Sequence, residues 1–166
     1  HHIFDSARLS QLVNNALLIN SSRGPVVNNI ALKQLLLERS DLTVALDVWE
    51  GEPSIDLELY NLCDTATPHI AGYSLDGKLR GTEAIVTAAL DYLNLESTLP
   101  SKNTALVLLD DLKTIDDYRE ALSLTYSAKK ETELFKRKIS ESNNIAQTFD
   151  AYRKSYPARK EINYDG

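Results

Sequence analysis

Only one cysteine, Cys63, occurs among the 166 residues, so no internal disulfide can staple the chain. That fits a reducing compartment. No apolar run approaches the roughly 20 residues of a membrane-spanning helix. The start, His1 to Ser10, lacks the basic-then-apolar pattern of an export leader. Internal repeats and low-complexity tracts are missing too. Basic residues are outnumbered, 18 Lys and Arg against 24 Asp and Glu, and the resulting net charge of −6 disfavours a general nucleic-acid surface. What is present, 43% hydrophobic and 25% charged residues, is enough to bury a core and argues against wholesale disorder. The expectation is a soluble, cytoplasmic protein.

Charge divides the chain unevenly. Residues 1–100 hold 6 Lys and Arg against 13 Asp and Glu, whereas residues 101–166 hold 12 against 11. The change falls at Glu96-Ser97-Thr98-Leu99-Pro100-Ser101-Lys102-Asn103, a polar stretch whose proline ends a helix comfortably and reads as a linker. We expect one unit over 1–100 and a smaller one over 101–166.

The first unit alternates helix-like and strand-like pieces. Asp5 can cap a short helix through Asn14, and Asn29 opens a helix that carries Ala31 to Arg39. Ala16 to Asn20 is a short apolar run suited to a buried parallel strand, Thr43 to Trp49 is a second, and Asp64 to Ile70 a weaker third. Gly77 to Leu95 reads as a long amphipathic helix. This alternation predicts an α/β fold with a parallel, doubly wound sheet. In the second unit Thr104 to Leu109 is a strand candidate. Ile115, Tyr118, Ala121, Leu122 and Thr125 recur at helical spacing, and the charge-rich stretch Lys129 to Ile139 is expected to be a helix solvated over most of its surface.

In parallel sheets ligands meet the loops at the carboxyl ends of the strands. Three such loops carry chemistry here: Asn20-Ser21-Ser22-Arg23-Gly24-Pro25, Glu50-Gly51-Glu52-Pro53 and Pro68-His69-Ile70-Ala71-Gly72-Tyr73. An arginine, a carboxylate and a histidine on one rim make an acid–base site, although periodicity alone does not bring the side chains together. Singly, Arg23 reads as an exposed loop arginine, Glu52 as a turn carboxylate and His69 as a backbone-bonded histidine. Asp47 in an apolar strand is costly unless paired or placed at the strand's open end. Cys63 reads as a small packed hydrophobe. His1 and His2 have no evident third ligand, so no metal site is assigned.

Taken together, Ile19-Asn20-Ser21-Ser22-Arg23-Gly24, Leu46-Asp47-Val48-Trp49-Glu50-Gly51-Glu52-Pro53 and Thr67-Pro68-His69-Ile70-Ala71-Gly72 resemble the D-isomer-specific 2-hydroxyacid dehydrogenases in sequence, order and spacing. The resemblance covers about the first 80 residues and implies the second half of a Rossmann-like sheet. It implies Arg23, Glu52 and His69 as catalytic residues, NAD as cofactor, and Ser21, Ser22, Arg23, Asp47 and Gly72 lining it. Tyr73 stands where many relatives have Ser or Thr after the His-Ile-(Gly/Ala)-Gly segment. With His69 to Thr82 it points to family members acting on a phosphorylated 2-hydroxy acid, in which Tyr73 contacts substrate. Those members carry an extra dimerisation domain, which implies that 101–166 is a small α/β unit making a homodimer. The phosphate-binding group is not assigned; Lys78 and Arg80 are candidates.

The implied roles follow from residue type. Arg23 clamps the substrate carboxylate, His69 is the general base, and Glu52 favours the protonated ring and fixes its tautomer. The six glycines are Gly24, Gly51, Gly72, Gly77, Gly81 and Gly166, and no two have Gly-x-Gly spacing, so the dinucleotide fingerprint is missing. The chain is therefore expected to be the C-terminal portion of a longer enzyme, inactive by itself. Two alternatives stay open: a relative acting on phosphoglycerate, lactate or glyoxylate, and a non-enzymatic corepressor-like binding module on the same fold.

Overall fold

The structure, a computed structural model, describes residues 1–96, 113–157 and 159. Its centre is a three-stranded parallel sheet in the order β1 (Leu17–Asn20), β2 (Thr43–Leu46), β3 (Thr65–Ala66). Ile19 lies opposite Ala45, and Leu46 opposite Ala66. Helix α1 (Ser6–Leu9) precedes β1 and is capped by Asp5, whose side chain accepts from the Arg8 N–H. It is shorter than the expected run to Asn14. Helix α2 (Asn29–Glu38) links β1 to β2, and its cap is Asn28 rather than Asn29. The Asn28 side chain accepts from the Ala31 N–H at 3.0 Å, satisfying a donor that the first helical turn leaves free.

The strands bury only one face, where the apolar runs implied two. Leu18, Val44, Leu46 and Ala66 are in the core, but Leu17 and Ile19 are 61% and 62% exposed. A continuous apolar run reads as buried on both faces, and only strand pairing reveals the period-2 alternation. Between β2 and β3 lies α3 (Leu57–Leu62), which sequence reading missed. Asp56 caps it by accepting from the Glu58 and Leu59 N–H groups, and its carboxylate also takes Lys33 Nζ at 2.6 Å. Burial would raise the Asp56 carboxyl, but the Lys33 ammonium and those two N–H groups outweigh it and hold the acid below its usual range.

Helix α6 (Ala128–Ser140) and α7 (Ile145–Ser155) complete this core. Phe135, Ile139 and Phe149 are buried, with Phe135 meeting Tyr60, Phe149 and Tyr152 edge-on. Thr132 closes the outer edge of β3: its hydroxyl accepts from the Ala66 N–H at 3.0 Å, while its carbonyl accepts from Tyr60 Oη at 3.0 Å. An edge covered in this way offers no template for another strand. This helix is solvated on most of its surface, as expected, and it buries only a narrow stripe through the i, i+4 pair Phe135 and Ile139.

The described chain falls into two compact units. The first joins His1–Ala71 to Ala128–Tyr156, and the second comprises the described residues of 72–127 and 157–166. The expected boundary near residue 100 lies outside the described residues, as do the strand candidate Thr104 to Leu109 and the chain end. Helices α6 and α7, expected in a C-terminal unit, belong to the first. In the second unit, α4 (Leu75–Tyr92) is capped by Ser74 and begins two residues before the expected start at Gly77. Helix α5 (Ile115–Thr125) is opened by a Thr114–Asp117 capping box. The Leu75 N–H donates to the Arg159 carbonyl, and Arg159 Nη1 donates to the Tyr73 carbonyl.

Candidate active site

Two loops at the carboxyl ends of β2 and β3 are joined by Asp47. This aspartate is buried, and its Oδ1 accepts from Thr67 Oγ1 at 2.6 Å and from the Ile70 N–H at 2.8 Å. Oδ2 accepts from the Ala71 N–H at 3.0 Å, and the His69 N–H donates to the Asp47 carbonyl at 2.7 Å. The buried charge is therefore matched by three side-chain acceptor bonds, which is what makes it tolerable. A carboxylate offers about four lone-pair sites, so Asp47 keeps capacity for one further bond.

The loop fixed by Asp47 presents His69 in the left-handed region, at φ +57°. A non-glycine residue held there costs on the order of 1–3 kcal/mol, and such costs concentrate at functional sites. His69 Nδ1 lies 2.8 Å from Glu52 Oε2, with both side chains partly exposed. The other Glu52 oxygen accepts from the Trp49 N–H at 2.8 Å, and the Trp49 indole N–H donates to the Thr67 carbonyl at 2.9 Å. Trp49 thus ties the glutamate loop to the histidine loop. Neither this tie nor the Asp47 network is visible in the sequence as more than an apolar strand end.

Arg23 stands on a separate loop. Buried Asn20 organises it: its Oδ1 accepts from the Ser22 N–H and hydroxyl, and its Nδ2 donates to the Arg23 carbonyl. Gly24 packs so closely on the Trp49–Glu50 peptide that a Cβ would fall 2.1 Å from the Trp49 carbonyl oxygen. Only glycine permits this approach, and it seats the Arg23 loop beside the Glu52 loop. Ser21, Ser22 and Arg23 are exposed, and Arg23 Nη1 donates to the Ser22 carbonyl at 2.6 Å. The structure therefore joins Glu52 to His69 directly, while the Arg23 guanidinium folds back on its own loop. Gly72 and Tyr73 lie in the second unit, where Lys78 Nζ sits 4.5 Å above the Tyr73 ring.

The missing third neighbour of the two N-terminal histidines is Glu50. His2 Nε2 lies 2.6 Å from Glu50 Oε1, and the ligand-type atoms of His1, His2 and Glu50 are all within 4.8 Å of one another. The second Glu50 oxygen accepts from the Asn29 N–H at 2.8 Å, so this carboxylate binds the N-terminal segment to the start of α2. Cys63 is buried, and burial pushes its thiol up to about 12, with Asp64 adding to the effect. It is a packed thiol without nucleophilic character at neutral pH, as expected. No described helix is long and apolar enough to cross a membrane.

Residues 1–71 match the family described as the D-isomer specific 2-hydroxyacid dehydrogenase, NAD binding domain. Over those residues the chain is similar to that family's NAD-binding domain. It is also similar to erythronate-4-phosphate dehydrogenases: 44% identical to that of Pseudomonas putida strain GB-1, 43% to that of Pseudomonas entomophila and 45% to that of Stutzerimonas stutzeri. Each match covers 97% of this chain, which spans 44% of the length of each relative. The identity extends through α6 and α7, well beyond the family segment.

Proposed function

We propose that the chain carries the proton-transfer side of an NAD-dependent dehydrogenase that oxidises 4-phospho-D-erythronate to its 2-oxo acid, a step of pyridoxine biosynthesis. The observation that carries this reading is the 2.8 Å contact between His69 Nδ1 and Glu52 Oε2, on a loop held left-handed at the rim of a parallel sheet. Accepting at Nδ1, Glu52 fixes the tautomer in which Nδ1 bears the proton and Nε2 keeps its lone pair. His69 Nε2 then removes the hydroxyl proton of the substrate, and the resulting imidazolium is stabilised by the adjacent carboxylate.

The residues at the strand ends fit a nicotinamide cofactor. Ser21, Ser22 and Arg23 are exposed donors at the end of β1, and Asp47 has one acceptor site left at the end of β2. NAD bound there supplies the hydride acceptor. Arg23, swung away from the Ser22 carbonyl, clamps the substrate carboxylate through its planar fork. Tyr73 contacts substrate and Gly72 the cofactor, as the family resemblance implies. Self-association through residues 101–166 belongs to the same reading.

The test is NADH formation by the full-length protein with 4-phospho-D-erythronate, measured beside 3-phosphoglycerate, D-lactate and D-glycerate. The expected result is a clear preference for phosphoerythronate. Preference for one of the others reassigns the substrate, and no reduction of NAD with any of them overturns the dehydrogenase reading.

A further inference from the structure

Helix α7 brings an arginine to the Glu52–His69 pair. Arg153 Nη1 lies 4.0 Å from Glu52 Oε2, the same oxygen that His69 Nδ1 contacts. All three residues belong to the first compact unit. Its placement has a clear cause. Phe149, one turn earlier on α7, is fully buried beside Phe135, and the Arg153 guanidinium lies 5.8 Å from the Phe149 ring centre. The aromatic anchor that docks α7 thereby points the arginine at the glutamate.

The guanidinium is undersatisfied. Arg153 Nε is buried without a hydrogen-bond partner. The 4.0 Å approach to Glu52 is a charge contact, longer than any hydrogen bond. Glu52 takes its direct bonds from the Trp49 N–H and His69, one on each oxygen, and none from Arg153. Lys33 and Arg39, by contrast, reach Asp56 and Asp41 at 2.6 Å, so the cations around α2 are paired by direct bonds. A buried donor left unpaired is costly, and a polar group left so beside the Glu52–His69 pair points to an absent partner. Being a planar fork of N–H donors beside a carboxylate it cannot bond well, it selects an anion with several acceptor oxygens.

We propose that Arg153 is the residue that binds the distal phosphate of the substrate. This rests on the dehydrogenase reading and sharpens it. Arg23 takes the carboxylate end, His69 the hydroxyl between, and Arg153 the phosphoryl oxygens. The helix that sequence reading put in a separate unit then becomes part of the substrate site, and an enzyme with this helix distinguishes phosphorylated from plain 2-hydroxy acids.

The experiment uses the full-length protein with R153M, which keeps an unbranched apolar stem over Phe149, and R153K, which keeps the charge without the fork. Steady-state kinetics are measured with 4-phospho-D-erythronate and with D-erythronate, alongside competition by inorganic phosphate. For R153M the expected result is a 10- to 100-fold loss in kcat/KM on the phosphorylated acid, the scale of one charge-assisted contact, carried mainly by KM. Activity on D-erythronate stays within about two-fold and inhibition by phosphate weakens in parallel, with R153K intermediate. Equal losses on both acids make Arg153 a support of the Glu52–His69 pair and overturn the proposal. Unchanged phosphate inhibition in folded R153M overturns it too. If wild-type protein oxidises neither acid, the dehydrogenase reading fails. Binding of inorganic phosphate followed by phosphorus NMR then still tests Arg153 by itself, weaker binding in R153M supporting an anion site and equal binding removing it.

Discussion

The loops after β2 and β3 differ from the loop after β1 in how their functional groups are held. Glu52 and His69 are locked by Trp49 and Asp47 through backbone donors on both sides. Ser21, Ser22 and Arg23 are exposed, and Ser22 and Arg23 bond to one another and to Asn20. The Glu52–His69 pair is thus preorganised, while the Ser22 hydroxyl and the Arg23 guanidinium bond within their own loop and strand end. A base must sit within hydrogen-bond reach of one atom, so rigidity favours it; a guanidinium that closes on an incoming anion works from a mobile start.

The largest expected effect separates the two loops in kinetics. On the proposed reading, His69→Ala in the full-length protein lowers kcat by about 10²–10⁴, the loss expected when a general base is removed. Arg23→Ala acts first through KM, since its guanidinium engages substrate only after leaving the Ser22 carbonyl. Stopped-flow single-turnover rates check this. An Arg23 variant with the greater chemical-step defect and unchanged KM would reverse the comparison.

Next in size is stability. Asp47→Ala strips the partner from the Ile70 and Ala71 N–H groups and the Thr67 hydroxyl, two of which belong to buried residues. It is expected to cost about 3 kcal/mol in urea unfolding, the scale of several orphaned buried donors. Asn20→Ala also breaks three bonds, but Ser22 and Arg23 are exposed and water replaces them, so about 1 kcal/mol is expected. Equal costs would show that the first loop is as rigidly built as the others.

The sequence carried the two loops unequally as well. Glu52 and His69 were legible because their motifs, order and spacing match one family, and their contact was then found at hydrogen-bond distance. Asp47 was legible as an anomaly, a charge in an apolar run, but its role in shaping the His69 loop was not, because the donors it serves are backbone N–H groups identical in every residue. Helix α3 was missed as a six-residue element, though Asp56 ahead of Leu57, Leu59 and Leu62 carries a cap and an apolar face. Helix α6 was read by its charge, and the pair Phe135 and Ile139 was the signal that could have placed it in the core. Nothing in the sequence gives Arg153 a role, although Phe149 to Tyr156 is where the second half loosely resembles the family. An arginine on a basic helix is ordinary, and only the docking of Phe149 turns it toward Glu52.

A third comparison is set by pH. Cys63 lies just before β3, on the arm that leads to His69, and its thiol is pushed by burial from an ordinary 9.0 up to about 12. Between those values the unfolded chain has lost the proton while the folded chain keeps it. The contribution to stability is whole below 9.0 and falls as pH rises toward 12. Tyr60, raised by burial and by Cys63, adds a loss of the same sign at higher pH. The expected outcome is a decline on the order of 1–2 kcal/mol between pH 9 and about 10.5, reduced in Cys63→Ala. Hydrogen exchange should register it at Ala66 and Thr67 before the Ser21–Arg23 loop, and a decline unaltered by Cys63→Ala assigns it to other groups.

The smallest expected effect is at Ser22, whose hydroxyl donates to Asn20 Oδ1 at 3.1 Å on the solvent side of the first loop. Its neighbouring N–H donates to the same oxygen at 3.2 Å, so removing the hydroxyl leaves Asn20 with a partner and uncovers no buried donor. Ser22→Ala should therefore change stability by less than about 0.5 kcal/mol, as surface substitutions away from such features do. If Ser22 lines the cofactor, the same variant raises the KM for NAD while leaving kcat and the KM for the phosphorylated acid nearly unchanged. A stability loss above 1 kcal/mol in urea unfolding would instead mean that the hydroxyl braces the loop, and that the Arg23 side of the site is less free to move than its exposure implies.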